Sequence, residues 1–229
     1  MNRNYRADDI DYRLDIAGFY PLDVLVTGCT GAGKSTTLNS LFEKAVAGVG
    51  YGSDPYTMEV SPYLFTKKVR LWDTPGLGDG VESDQIHENK LKDILWNKCT
   101  IDNEEYALID MVLVIVDGTV RDLGTTYHLI RDVIAPNIQT DRILVAVNQA
   151  DMAMKGRHFD YCNCNPDREL TRFLDEQSES VRRRINEATG VNIERPVYYS
   201  AEYNYNVDGF YDYIIDHIPR CRRKLKTIA

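Results

Sequence analysis

Short apolar runs, separated by charged and amphipathic stretches, dominate the pattern of this chain. Val24-Leu25-Val26, Met111–Val116 and Ile143–Val147 are almost uniformly apolar, which is typical of strands that are buried on both faces. The stretches between them place apolar residues at helical spacing among charges. Strands that alternate with helices predict an α/β fold of three layers, in which a mostly parallel sheet carries helices on both faces.

The pattern predicts six strands and five helices in the body of the chain. The strands are about Asp23–Thr27, Tyr63–Thr66, Val69–Trp72, Met111–Val116, Ile143–Val147 and Val197–Tyr199. The helices are about Ser35–Lys44, Ser83–Lys98, Gly124–Ile134, Asp167–Thr189 and Asp208–Ile218. Lys67-Lys68 predicts a hairpin turn. Val46–Pro62, rich in glycine, is predicted to be a mobile loop, and Met152–Pro166 is predicted to be irregular.

The two ends of the chain lie outside the predicted alternation of strands and helices. In residues 1–20, Ile10, Leu14 and Ala17 fall at helical spacing, which predicts a short amphipathic extension that packs beside the core. A flexible leader is the alternative. We expect one domain over residues 21–220 and a basic tail over residues 221–229.

Composition narrows the class of protein. The chain has 229 residues, of which 43% are hydrophobic and 27% are charged, with a net charge of −8. This acidity argues against a broad nucleic-acid-binding surface. The five cysteines are scattered and odd in number, so we expect reduced thiols. An apolar signal core and a run of about 18 apolar residues are both absent from the sequence, which predicts a cytoplasmic protein without a transmembrane segment.

The stretch Gly28–Ser35, directly after the first predicted strand, fits the phosphate-loop pattern G-x-x-x-x-G-K-[ST]. Glycines leave the backbone N–H groups free to surround a polyphosphate. Lys34 is predicted to meet the β- and γ-phosphates, and the Ser35 hydroxyl to bind Mg²⁺. A glycine-rich turn without a ligand is the alternative. The predicted phosphate contacts are Gly28, Thr30, Gly31, Ala32, Gly33, Lys34, Ser35 and Thr36.

Two further motifs also follow predicted strands, at the sheet edge where α/β proteins bind ligands. In Asp73-Thr74-Pro75-Gly76, the Asp73 carboxylate can hold a Mg²⁺-bound water and the Gly76 N–H can reach a γ-phosphate. In Asn148-Gln149-Ala150-Asp151, the Asp151 carboxylate can accept hydrogen bonds from guanine N1–H and its amine, whereas adenine offers neither donor there.

Asn148 is predicted to tie this base-reading loop to the phosphate loop, and Gln149 to pack its aliphatic stem on the base. Ser200-Ala201 is predicted to supply a backbone N–H for guanine O6. For the Asn and Asp of the base-reading loop, the alternative is that they cap an ordinary strand-to-helix turn.

In this order, the four motifs resemble those of the translation-factor class of P-loop GTPases. The run Trp72–Asp79 is similar to that of the Era-related group, and more closely to bacterial ribosome-binding or prophage-associated GTPases. The resemblance covers about residues 20–220. It implies a P-loop NTPase G domain that binds GTP and GDP and hydrolyses GTP with Mg²⁺. It also implies a Thr in the first switch loop that completes the Mg²⁺ shell; Thr57 is our choice, and an ordinary loop Thr is the alternative.

The resemblance therefore assigns Lys34, Thr57, Asp73 and Gly76 to catalysis, and Ser35, Thr57 and Asp73 to the metal. Two positions depart from the pattern, because Gln149 stands where Lys is usual and Leu77 stands where Ras-like proteins carry the Gln that orients water. We expect slow hydrolysis, with conformational switching at Val46–Pro62 and Gly76–Ser83.

Several partners are compatible with the sequence. The phosphate loop is similar to that of GTPases that dimerise across the nucleotide face, where Arg121 would reach the partner's nucleotide; a surface ion pair with Asp122 is the alternative. The basic cluster Arg220–Lys226 could contact a ribosome, rRNA or an anionic membrane, or be a solvated helix end, and a second basic cluster, Arg182–Arg184, lies in the long predicted helix.

Two other functions remain open beside the slow GTPase. One is a nucleotide-binding regulatory module with negligible turnover. The other is a dynamin-type membrane GTPase, which we disfavour because no helical stalk follows the domain.

Overall fold

The structure is a computed structural model that describes residues 6–19, 21–45, 61–66, 68–78 and 80–224. Its strands are β1 (Leu22–Gly28), β2 (Ser61–Thr66), β3 (Val69–Asp73), β4 (Lys98–Ile101), β5 (Glu104–Ala107), β6 (Met111–Asp117), β7 (Ile143–Asn148), β8 (Phe159–Asp160), β9 (Asn165–Pro166) and β10 (Val197–Tyr198). Its α-helices are α1 (Ala7–Ala17), α2 (Lys34–Ala45), α3 (Val81–Trp96), α4 (Gly124–His128), α5 (Arg168–Thr189) and α6 (Val207–Asp216).

The central sheet has six strands in the order β10-β7-β6-β1-β3-β2. Five of them are parallel, and β2 runs antiparallel to β3. Helices α1, α2 and α6 cover one face of the sheet, and α3, α4 and α5 cover the other. The predicted three-layer α/β fold is confirmed.

Alternate residues of β6 explain why its sequence is uniformly apolar. Met111, Leu113 and Ile115 pack with the first group of helices, while Val112 and Val114 pack with the second. Both faces of the strand are therefore buried.

The N-terminal helix is also confirmed, since Ile10 and Leu14 of α1 are buried in the core that α2 and α6 share. Arg6, at its start, forms ion pairs with Asp212 and Asp216 of α6. The division into an extension, a domain and a tail remains a prediction.

Some predicted boundaries were wrong. The helix predicted to end at Lys98 ends at Trp96, because Lys98 begins a hairpin of β4 and β5 that the sequence analysis missed. Its turn residues Asp102 and Asn103 have φ of 50° and 65°, as a two-residue hairpin turn with this twist requires. The last helix ends at Asp216 rather than Ile218.

Around Gly124 and Met152, the structure also differs from the elements that the sequence predicted. The helix predicted over Gly124–Ile134 changes after α4 into a π-helix over Leu129–Ile134. The stretch predicted to be irregular overlaps a 3₁₀ segment, Ala150–Gly156, that is interrupted at Ala153, Met154 and Lys155, and it contains the short β8–β9 pair. The helix α5 then begins where predicted, because the Asp167 carboxylate accepts hydrogen bonds from the N–H groups of the first turn.

The interpretation of Arg220–Lys226 as a solvated helix end or an exposed basic cluster is wrong for its two central arginines. Arg222 and Arg223 are 7% and 2% exposed. Arg223 donates hydrogen bonds to the carbonyls of Asn137 and Leu95, and burial lowers its pKa to about 10. These bonds hold the segment at the amino-terminal edge of the sheet.

All five cysteines are free thiols, as expected. In the described part of the chain, no helix combines the length and the apolar character that crossing a membrane requires.

Candidate functional site

The carboxyl ends of four parallel strands bring the sequence motifs together at one edge of the sheet. The strand β1 leads into the phosphate loop Gly28–Ser35, with β3 and β6 on either side of it and β7 beyond β6. Because Val26 pairs with Asp73, the acidic motif lies beside the start of the phosphate loop. The site therefore has a phosphate end at β1 and β3 and a base end at β7 and β10.

The phosphate loop depends on glycine where it meets the base-reading loop. Gly33 has a φ of 80°, and a Cβ at this position would lie 2.3 Å from the Asn148 Nδ2 atom. Any side chain at position 33 would therefore displace the Asn148 amide and strain the backbone. The buried Lys34 ammonium donates hydrogen bonds to the carbonyls of Gly28 and Cys29, at 3.2 and 3.0 Å. These bonds hold the positive charge of Lys34 against the start of the phosphate loop. The next two residues, Ser35 and Thr36, are exposed.

Asp73 occupies the end of β3 and is 3% exposed. Its Oδ1 accepts the N–H of Thr74 at 3.0 Å, and the Thr74 hydroxyl donates to the carbonyl of Val26 at 2.9 Å. The carboxylate is thus oriented by the turn that follows it. Thr57, the other metal ligand chosen from the sequence, lies outside the described residues.

The segment after Asp73 is joined to the phosphate loop by backbone hydrogen bonds. The Thr30 N–H donates to the carbonyl of Leu77 at 2.8 Å, and the Leu77 N–H donates to the carbonyl of Gly28 at 3.3 Å. A Cβ on Gly76 would lie 2.7 Å from the backbone N of Thr30, so only glycine allows this approach. The Gly76 carbonyl accepts a hydrogen bond from Nδ1 of His87, at 3.0 Å.

Leu77 itself is 1% exposed and belongs to the buried cluster that contains Leu91 and Leu95 of α3. Its side chain therefore anchors the loop in the core. The sequence identified the missing Gln at this position, but only the structure shows that the position is a packing site.

The base-reading loop is fastened to the phosphate loop by two neighbouring amides. Asn148 Nδ2 donates to the carbonyl of Ala32 at 3.1 Å, which confirms the predicted tie, and Gln149 Nε2 donates to the carbonyl of Gly31 at 2.8 Å. The sequence analysis placed the Gln149 stem on the base and missed its amide contact.

Asp151 is buried, and among the described residues its carboxylate accepts no hydrogen bond. The Tyr161 hydroxyl donates instead to the backbone carbonyl of Asp151, at 3.4 Å. The Ala201 N–H, predicted to meet guanine O6, donates to Asn148 Oδ1 at 3.0 Å. In this structure Ala201 therefore orients the Asn148 amide, and the adjacent Ser200 pairs its backbone with Tyr205.

Arg121 follows β6 in the chain, and its side chain is exposed. The structure shows no ion pair between Arg121 and Asp122, the alternative that the sequence suggested, and the Asp122 carboxylate accepts the N–H of Gly124 at 2.9 Å. The carbonyl of Arg121 is held by Arg184 of α5, and both arginines line a groove of about 280 Å³. Within the described residues, the Arg121 guanidinium forms no ion pair.

Comparison with known proteins gives one family match. The profile of a family described as 50S ribosome-binding GTPase matches residues 23–154 of this chain. Translocase of chloroplast 125 from Physcomitrium patens is 38% identical over 73 residues, which cover 31% of this chain and 6% of that protein. The curated relatives that this chain matches are much longer proteins, of which the matched segments cover between 6% and 15%.

The fold is also found in solved structures, of which two serve as examples. Toc33 from Arabidopsis thaliana, in complex with GDP and Mg²⁺, has a TM-score of 0.62 at 16% identity, over 98% of this chain and 96% of that one. The bacterial dynamin GTPase LeoA from ETEC has a TM-score of 0.57 at 12% identity, over 94% of this chain and 39% of that one.

Proposed function

Because this chain belongs to the 50S ribosome-binding GTPase family and contains a GTP-binding G domain, we propose that it hydrolyses GTP to GDP and phosphate and acts as a conformational switch. The hydrolysis is slow and uses Mg²⁺. Members of P-loop GTPase families are generally GTP hydrolases. For this chain we propose that it turns GTP over, that the turnover is slow, and that GTP binding and hydrolysis change its conformation.

The observation that carries this proposal is the junction of the two loops. Asn148 and Gln149 bond to successive carbonyls of the phosphate loop, while Asp151, two residues further on, keeps its carboxylate for the ligand. The two joined loops thus place an acceptor for guanine and a loop for the phosphates in one site. A capped strand-to-helix turn, the alternative for Asn148 and Asp151, would not need the bonds to the phosphate loop.

The residues at the phosphate end suit Mg²⁺, which prefers hard oxygen ligands. Ser35, in the first turn of α2, supplies a hydroxyl, and Asp73, at the end of β3, supplies a carboxylate. Thr57 is proposed as the third ligand. When bound, the ion would neutralise charge on the transferring phosphoryl group. Lys34 adds a cation, and the Gly76 N–H adds a donor for the γ-phosphate.

The test of the proposal is a single-turnover assay with radiolabelled GTP or ATP, in Mg²⁺ or in EDTA. We expect phosphate release from GTP in Mg²⁺ only. Tight binding or hydrolysis of ATP would contradict the role of Asp151. Binding of GTP without any phosphate release at micromolar protein would instead favour the regulatory module with negligible turnover.

Replacing Leu77 by Gln tests whether the missing Gln explains the slow rate. We expect no increase in turnover, because the position 77 side chain packs under α3 rather than toward the nucleotide. The buried amide should lower the free energy of unfolding by about 1–3 kcal/mol. GTP turnover and urea unfolding of the wild type, Leu77→Gln and Leu77→Met measure both effects. A faster Leu77→Gln enzyme would contradict this placement.

We further propose that a second copy of this chain supplies a catalytic cation, with Arg121 as the residue. Turnover per molecule should then rise with protein concentration, and Arg121→Ala should remove that rise and lower the limiting rate about 10-fold, or about 1.4 kcal/mol of transition-state stabilisation. Arg183→Ala, an exposed arginine of α5, is the control. If Arg121→Ala matches the wild type at every concentration, Arg121 has no such role.

Three narrower predictions belong to this proposal. Membership of the Era-related group is supported by the motif Trp72–Asp79, and contact with a ribosome or rRNA by the family description. A cytoplasmic location is supported by the reduced thiols.

A further inference from the structure

Three successive carbonyls of the phosphate loop each accept a hydrogen bond from a side chain. Gln149 bonds to the Gly31 carbonyl and Asn148 to the Ala32 carbonyl. The Gly33 carbonyl accepts two hydrogen bonds from Thr37, one from its hydroxyl at 2.8 Å and one from its backbone N–H at 2.9 Å. The C=O and N–H of a planar trans peptide point in opposite directions, so fixing these three carbonyls also fixes where the N–H groups of Ala32, Gly33 and Lys34 point.

The third of these donors is itself held from the base end of the site. The Thr37 hydroxyl lies 2.7 Å from the hydroxyl of Tyr199, and both residues are fully buried. Because the single hydrogen of the Thr37 hydroxyl is used on Gly33, the Tyr199 hydroxyl is the donor of this bond. Burial raises the pKa of Tyr199, so the hydroxyl keeps its hydrogen at neutral pH.

Tyr199 has little freedom to move. Its ring stacks on Phe210 of α6, with centroids 4.3 Å apart and planes at 4°. Its backbone N–H donates to the carbonyl of Val147, and its carbonyl accepts the N–H of Ala150. Tyr199 therefore joins the two base-reading segments, Asn148–Asp151 and Ser200-Ala201: its backbone bonds to the first one and to the residue before it, and it directly precedes the second one.

We propose that Tyr199 and Thr37 are positioning residues that fix the phosphate loop from the base-reading segments. Tyr199 holds the Thr37 hydroxyl, Thr37 holds the Gly33 carbonyl, and the Lys34 N–H is thereby aimed at a phosphate of the bound nucleotide. The inference rests on the proposed binding of GTP and GDP. It adds that removal of either hydroxyl weakens binding of the phosphate groups without weakening binding of guanine.

The experiment compares a ligand that has phosphates with one that has none. GDP and guanosine are titrated into the wild type, Thr37→Val, Thr37→Ser and Tyr199→Phe, with guanosine measured by competition. Ser178→Ala, which removes a buried hydroxyl bonded to the Pro196 carbonyl, is the matched control. Unfolding curves are recorded for every variant.

We expect Thr37→Val to weaken GDP binding about 5-fold, in the range that loss of one hydrogen bond produces, and to leave guanosine binding unchanged. Thr37→Ser should restore GDP binding, and Tyr199→Phe should show a smaller loss of the same kind. Thr37→Val with wild-type GDP affinity would overturn the inference, as would equal losses for both ligands. A wild-type protein that binds no GDP would overturn the proposed function itself.

Discussion

Asp151→Asn should change the base preference of this protein from guanine to xanthine and weaken GDP binding by at least about 100-fold. A carboxylate accepts from both N1–H and the amine of guanine, whereas a carboxamide has one acceptor and one donor. Its NH₂ group would face the guanine amine and leave buried donors unpaired. Xanthine carries a carbonyl at that carbon, so the same NH₂ group gains a partner.

The measurement is calorimetric titration of GDP and xanthosine diphosphate into both proteins. Because the Asp151 carboxylate accepts no hydrogen bond among the described residues, the variant should keep its fold. Asp141→Asn, at an exposed position before β7, is the matched control and should bind GDP like the wild type. Undiminished GDP binding by Asp151→Asn would show that the base is read elsewhere.

Arg222→Met should lower the free energy of unfolding by about 3–5 kcal/mol at pH 8, the usual cost of removing one partner of a buried ion pair. Arg222 lies 3.5 Å from the Asp110 carboxylate, and the two side chains are 5% and 0% exposed. It also donates to the carbonyl of Pro21 at 3.1 Å. Without the guanidinium, the carboxylate would remain buried without its cation.

The loss of unfolding free energy in Arg222→Met should be smaller at pH 6 than at pH 8. Burial raises the pKa of Asp110 to about 7, while the charge of Arg222 opposes that rise. Below pH 7 the native Asp110 is mostly protonated and the ion pair is already weakened. In the wild type, the same raised pKa makes stability fall as pH rises from about 4 to 7, since the folded state holds a proton that the unfolded state has released.

Urea unfolding of the wild type and of Arg222→Met at pH 6 and pH 8 tests this expectation. Arg183→Met removes an exposed arginine and should change stability by less than about 0.5 kcal/mol. Asp110→Asn should flatten the fall in stability between pH 4 and 7. A loss in Arg222→Met that is the same at both pH values would contradict the proposed coupling to Asp110.

The sequence alone determined the fold class and the approximate positions of the six central strands and of most helices, because these follow from local patterns. The uniformly apolar Met111–Val116 requires burial on both faces, and Gly28–Ser35 has few functions other than binding phosphate. Motifs that end parallel strands must meet at one edge of the sheet. The positions of Lys34, Asp73 and Asn148 were therefore predictable before their contacts were known.

Only the tertiary structure decided which partners the side chains find across the fold. Arg222 and Arg223 belong to a basic run, yet both are buried, because their terminal guanidinium nitrogens contact carbonyls and a carboxylate from distant segments. Thr37 and Tyr199 meet across 162 positions of the chain, and neither belongs to a motif. Periodicity and motifs record local geometry and single-site chemistry, whereas these contacts exist only once the sheet brings its strands and helices together.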